Sequence, residues 1–261
     1  MVSCRGWVCV WLVCVGAGPA EPGSPAQRVW EQGQQALAAG RVDEAIACYR
    51  RSLTLDPGLA RNHLSLAAAY LGQGQDGEAA PHLARYVAAQ PDHLVARAHY
   101  AELLLRLNRP RAARAQFERF AADVQEREDL AGQHLVHCHS RLMEIAEGSG
   151  DDYGEHLHRG IGLYLLACRR AALPDPEGEL GVEGLLCKAA AELTLARLRQ
   201  PDEARPCWYL YEVWSRLGQR QPAARWLRTA ADAAPFSDLT PAERRGLHLA
   251  WTRCLAEGRR K

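Results

Sequence analysis

Three kinds of residue recur at one interval in this chain: Gly40 and Gly74, Ala45 and Ala79, and Pro57 and Pro91 each stand 34 residues apart. A fixed period of that length constrains the fold more than any composition does, because each unit repeats one small element that cannot bury its own apolar face and must stack on its neighbours. In this phase the units run over 26–59, 60–93 and 94–127. A fourth starts at Ala204 and ends near Ser237, with Gly218, Ala223, Leu227 and Pro235 at matching places. Only three Ile and five Thr occur in 261 residues, so a sheet would lack β-branched side chains, whereas the frequent Ala, Leu and Arg form helices well. The expectation is an all-α chain.

The residue types explain the stacking. Small residues on the first helix of each unit (Gly33, Ala67, Ala101) and on the second (Ala45, Ala79, Ala113) let two antiparallel helices approach closely, and Tyr49, Leu83 and Phe117 fill the space between units. Gly40 and Gly74 suit a left-handed turn between helices, and Pro57 and Pro91 stop the second helix. The first unit, with AAGRVDEAIACYRRSLTLDP, and the second, with Ala67, Tyr70, Gly74, Ala79, Leu83 and Pro91, resemble the tetratricopeptide repeat family. The third keeps Ala101, Leu104, Ala113 and Phe117 but has Asn108 at the turn and Gln125 in place of the closing Pro. The resemblance implies a right-handed superhelical solenoid of antiparallel helix pairs acting as a non-enzymatic scaffold, with a peptide or protein partner held on the concave face. The first helices line that face, which here implies partner contacts at Trp30, Gln34, Leu37, Arg61, Leu64, Ala68, Leu71, Val95, Ala98, Glu102 and Leu105. Such a surface is mostly apolar and fits an extended or helical peptide. Some family members clamp a chaperone's carboxylate tail with Lys, Asn and Arg. At those phases this chain has Trp30, Gln34, Ser65, Val95 and His99, so the clamp does not carry over.

Between 128 and 203 the phase is lost while helical character persists. Leu130, His134, Cys138, Leu142 and Ile145 recur every three or four residues, GSGDD at 148–152 interrupts, and a second stretch from Tyr153 to Ala172 carries Leu157, Ile161, Tyr164, Leu165 and Cys168 on one side. This reads as a degenerate repeat with enlarged loops. After LPDPEGELG at 173–181 a helix from Val182 to Arg199 is expected, and a last one from Pro241 to Ala256, with Thr240 as N-cap, should seal the array.

The amino terminus is a separate segment. Residues 1–20 carry Arg5, an apolar run from Gly6 to Val15 and then small residues, the pattern of a secretory leader cleaved after Ala17 or Ala20. About ten apolar residues are too few to span a bilayer. A periplasmic or extracellular protein is therefore expected, with a cytoplasmic one as the alternative, and 21–25 form a flexible lead-in.

The chemistry-bearing residues are sparse. A net charge of +1 gives no pull toward nucleic acid, and the pairs Arg111/Arg114 and Arg259/Arg260 sit among acids. No phosphate-cradling loop, CxxC pair, HExxH helix or GxSxG elbow occurs, and no cofactor is expected. The alternative to a scaffold is a metal-dependent protein or enzyme: His134, His137 and Cys138 share a helix face, and Asp151, Asp152 or His156 could close a zinc site. The plainer reading keeps Cys138 in the core, His134 half-buried, and His137 and His139 toward solvent. Six cysteines follow the leader, Cys48, Cys138, Cys168, Cys187, Cys207 and Cys254. They are read as small buried hydrophobes, with a Cys168–Cys187 disulfide across the 173–181 loop as the alternative.

Overall fold

The computed structural model describes residues 23–126, 131–172 and 181–258. The expected leader, Leu130, most of the loop at 173–181, Arg259 and Arg260 lie outside the described residues. Among the described residues there are twelve α-helices and one 3-10 turn, with no strand. They are α1 (Pro25–Ala38), α2 (Val42–Leu55), α3 (Ala60–Gly72), α4 (Asp76–Ala89), α5 (Leu94–Arg106), α6 (Pro110–Gln125), α7 (Ala131–Ser149), α8 (Asp152–Ala171), α9 (Val182–Arg199), α10 (Ala204–Arg216), α11 (Arg220–Ala233) and α12 (Pro241–Gly258). The chain divides into two compact units, 1–116 and 117–261, and the division falls inside α6.

One turn recurs. Gly40, Gly74, Asn108, Gly150 and Gly218 all have left-handed backbone, with φ between +54° and +75°. At each, the residue's own amide and the next one reach back into the helix just completed: Gly40 N–H to Leu37 and Arg41 N–H to Ala36, and likewise at Gly74, Asn108, Gly150 and Gly218. This closes the helix by satisfying carbonyls that would otherwise be orphaned. Asn108 is the only non-glycine residue with positive φ among those described, and Asn tolerates that region better than most side chains do.

In the first unit α1 packs on α2 and α3 on α4, while α2 meets α3 and α4 meets α5, so the pairs stack in chain order. The core consists of Tyr49, Leu66, Ala67, Tyr70, Ala79, Leu83, Tyr86 and Leu103 with their neighbours. Gly33 shows why the small position is needed: a Cβ there would stand 2.6 Å from Tyr49 Cε1, and Tyr49 is fully buried.

In the second unit α8 packs along both α7 and α9, followed by α9 on α10, α10 on α11 and α11 on α12. Its core runs from Leu157 and Ile161 through Leu186, Leu193, Trp208 and Leu210 to Leu247 and Ala250. The GSGDD segment is not an enlarged loop. It is the same tight turn as in the other pairs, with Asp151 capping α8 by accepting from Gly154 N–H at 2.9 Å. The phase shift lies earlier: Asn108 and Gly150 are 42 apart, and α6 and α7 are 16 and 19 residues long where the preceding helices have 13 or 14. From Gly150 to Gly218 the interval is 68, two repeat lengths. The last helix begins as expected. Thr240 Oγ1 accepts from Glu243 N–H at 3.2 Å and Glu243 Oε2 accepts from Thr240 N–H at 2.8 Å, a reciprocal capping box.

Candidate functional site

In the first unit the first helices bring Trp30, Gln34 and Arg61 together around Ser65. Trp30 Nε1 donates to Ser65 Oγ at 3.0 Å and Gln34 Nε2 to the same oxygen at 3.1 Å. The Arg61 guanidinium lies 4.6 Å from the centre of the Trp30 ring, a cation–π contact that fixes both side chains. Its Nε and Nη2 are buried and meet no acceptor among the described residues. Such donors represent unspent hydrogen-bonding capacity. Leu37 and Leu71 are half-buried and pack, like Trp30, on the core of this unit, whereas Leu64 and Ala68 are buried within it. On α5, Val95 is half exposed and Ala98, Glu102 and Leu105 are partly buried. Sequence reasoning placed Ser65 only in the unmatched chaperone clamp. Its position one turn from Arg61 was the signal that it could act as the shared acceptor.

At the same repeat phase in the second unit, α10 carries Arg205, Trp208 and Glu212, and each is engaged within the unit. Arg205 Nε meets Glu243 Oε2 at 2.9 Å, and Tyr209 O–H donates to Glu243 Oε1 at 3.1 Å. Gln125 Nε2 donates to Tyr209 Oη at 3.2 Å, and Gln125 Oε1 accepts from Thr240 O–H at 2.7 Å. Glu243 is 5% exposed, and burial followed by its charge raises the Tyr209 phenol well above its ordinary range. Glu212 accepts from Tyr164 O–H at 2.8 Å, and Arg216 Nε donates to Tyr164 Oη at 3.2 Å with its guanidinium near the Tyr164 ring. Burial, then Glu212, raises Tyr164. Trp208 packs against α12, where a Cβ at Gly246 would stand 2.8 Å from its Cζ2.

The histidine cluster does not assemble a metal site. Cys138 is buried with its thiol donating to the Phe117 carbonyl at 3.2 Å, while His134 and His137 are exposed. Among the described residues no group of three or more His, Cys, Asp or Glu could hold a metal ion. His139, expected toward solvent, is 4% exposed, and its Nδ1 meets His158 Nδ1 at 3.1 Å. His134 is exposed rather than half-buried. The helix turns at Cys138, which takes the core position and brings its neighbour His139 inward against α8. None of the six cysteines is in a disulfide. Cys138 and Cys207 are buried and Cys48 and Cys168 partly so, but Cys187 and Cys254 are exposed and do not serve as core hydrophobes.

A profile of the tetratricopeptide repeat matches residues 33–74. Residues 33–74 thus carry a tetratricopeptide repeat, and the same left-handed turn between antiparallel helices recurs in both units. Among solved structures the chain is similar to MamA (15% identity, 80% of this chain and 91% of that one, TM-score 0.41). It is also similar to YrrB, described as a TPR protein with an unusual peptide-binding site (17% identity, 80% and 87%, TM-score 0.32), and to Pseudomonas aeruginosa PilF (16% identity, 80% and 92%, TM-score 0.38). No curated protein matches the sequence. No helix among the described residues is long and apolar enough to cross a membrane.

Proposed function

We propose that the protein is a recognition scaffold whose first unit holds a peptide segment of a partner protein on the face formed by α1, α3 and α5. The observation that carries this reading is the Trp30–Arg61 stack: two guanidinium donors lack an acceptor, and the half-buried Leu37 and Leu71 pack on the same core as Trp30. A carboxylate on the partner would satisfy those donors once the guanidinium turns from the ring, and apolar partner side chains would cover the leucines, with Val95, Ala98, Glu102 and Leu105 continuing the track. Family members act as interaction modules, which agrees with a non-enzymatic role.

Random-peptide display against the full chain tests the assignment. Peptides enriched on the native protein should carry an acidic residue among apolar ones and bind at least about tenfold more weakly to Arg61→Ala and Trp30→Ala chains of unchanged circular dichroism, as expected when a central Arg or Trp anchor is removed. Equal binding to the variants rejects the face. The leader pattern in residues 1–20 supports export to the periplasm or outside the cell. The mature N-terminus, read by mass spectrometry, should be Gly18 or Glu21, and a retained Met1 rules out cleavage.

A further inference from the structure

Two histidine pairs stand in the same register in different hairpins. His63 on α3 faces His82 on α4 with Nδ1 atoms 3.0 Å apart, and His139 on α7 faces His158 on α8 at 3.1 Å. The ring centroids are 5.3 Å apart in both. In each pair the first histidine precedes the left-handed glycine, Gly74 or Gly150, by 11 residues, and the second follows it by 8. Two nitrogens at this distance share one proton: one ring donates and the other must offer a lone pair. One added proton leaves an imidazolium donating to a neutral ring, so the bond survives; only when both rings are imidazolium is the acceptor lost and are two like charges placed in contact. On His63, His82 and His139 the charged side chains that act are cations, Arg85 on α4 and Arg50 on α2 at the first pair and Arg205 on α10 at the second. Tyr70 stacks on His82 and accepts from Arg50, and Glu192 on α9 is engaged by His156 and Arg159.

We propose that these pairs are acid-sensitive latches: hairpins α3–α4 and α7–α8 stay closed while at least one ring of each pair is neutral and accepts the shared proton, and they open when both rings are protonated. Burial, with the neighbouring cations adding to it, brings His82 down to about 4 and His139 to about 3, and lowers His63. The folded values lie below the unfolded value of about 6.5, so the stability held by the neutral rings is complete above that pH. It is lost as the pH falls from there toward the folded values. Each ring that is neutral in the closed hairpin and charged in the open one lowers the closed-to-open ratio by up to about tenfold per pH unit in that window, well before ordinary carboxylates titrate. Arg61, Leu64 and Ser65 flank His63 on α3, so opening the first hairpin also dismantles the peptide face. That consequence rests on the function proposed above, whereas the opening does not.

Hydrogen exchange of the full chain, followed by mass spectrometry from about pH 7.5 to about 4.5 and corrected for intrinsic rates, reads the latches directly. Peptides from α3–α4 and α7–α8 should lose protection by up to about tenfold per unit for each ring protonated on opening, below about pH 6.5, while α1–α2 and α10–α11, which contain no histidine, keep theirs. His82→Gln should flatten the response of α3–α4 alone, and His158→Gln that of α7–α8 alone. Should either variant fail to fold, ring nitrogen spectra of the native protein serve instead. One ring of each pair titrating below about pH 5 supports the latches. All four rings titrating near 6.5, or protection lost evenly along the chain, overturns them.

Discussion

The two units use the same repeat phase in opposite ways. On α3 of the first unit Arg61 lies over Trp30 with two donors unanswered, whereas on α10 of the second Arg205 is closed off by Glu243 from the unit's own last helix. Glu243 also receives Tyr209 and caps α12, so one carboxylate fills the position and starts the helix that seals the array. The repeat builds a face but does not decide whether it remains available. That depends on whether a later element of the chain supplies the missing acceptor.

Loss of Glu243 has the largest expected effect. Glu243→Ala leaves Arg205 and Tyr209 without their acceptor and removes half of the capping box, which should cost about 3 kcal/mol and lower the unfolding midpoint of the second unit. Tryptophan fluorescence in urea checks it, since Trp208, Trp214, Trp226 and Trp251 all lie in that unit. A loss below about 1 kcal/mol would show that the network is not what holds α12. In the first unit the matching strain test is Gly33→Ala, whose Cβ would meet the buried Tyr49 ring. A loss of about 2 kcal/mol in denaturant unfolding is expected, because the ring has no room to retreat.

Equal turns sharpen the comparison. Gly74→Ala and Gly150→Ala each force a Cβ into left-handed backbone and should each cost about 1 kcal/mol by thermal unfolding. A clear difference between them would mean that α7–α8 does not repeat α3–α4. The smallest expected change is Arg61→Ala. Its cation–π contact is worth about 0.5 kcal/mol, so calorimetry should find the stability nearly unchanged while peptide binding is lost.

Much of the architecture was legible from residue types. The 34-residue interval located the turns at Gly40 and Gly74, matching residue types located the one at Gly218, and Asn108 could hold the same place because its side chain tolerates left-handed backbone. The repeat at α7–α8 was concealed by the eight extra residues before Gly150 and by Met143 and Glu155, which replace the small residues of the close-packed positions. The signal that survived was polar: His63 and His82 have the same spacing around Gly74 as His139 and His158 have around Gly150. Those histidines drew attention instead as a string along one helix, where local spacing suggests a metal. Spacing on one helix says nothing of what the facing helix presents, and α8 presents His158.

Local rules therefore determined where helices start, turn and stop, since those events depend on backbone conformation and on capping groups a few residues away. Helix pairing followed too, because a period of small residues sets which faces can approach. What fills each face was decided only by tertiary structure. Gln125 meets Tyr209 and Thr240 from 84 and 115 residues away, and a contact at that range depends on how the intervening helices lie on one another. The orphaned donors of Arg61 and the buried partnership of His139 belong to the same class, because the cost of leaving a polar group dry depends on every element that excludes water from it.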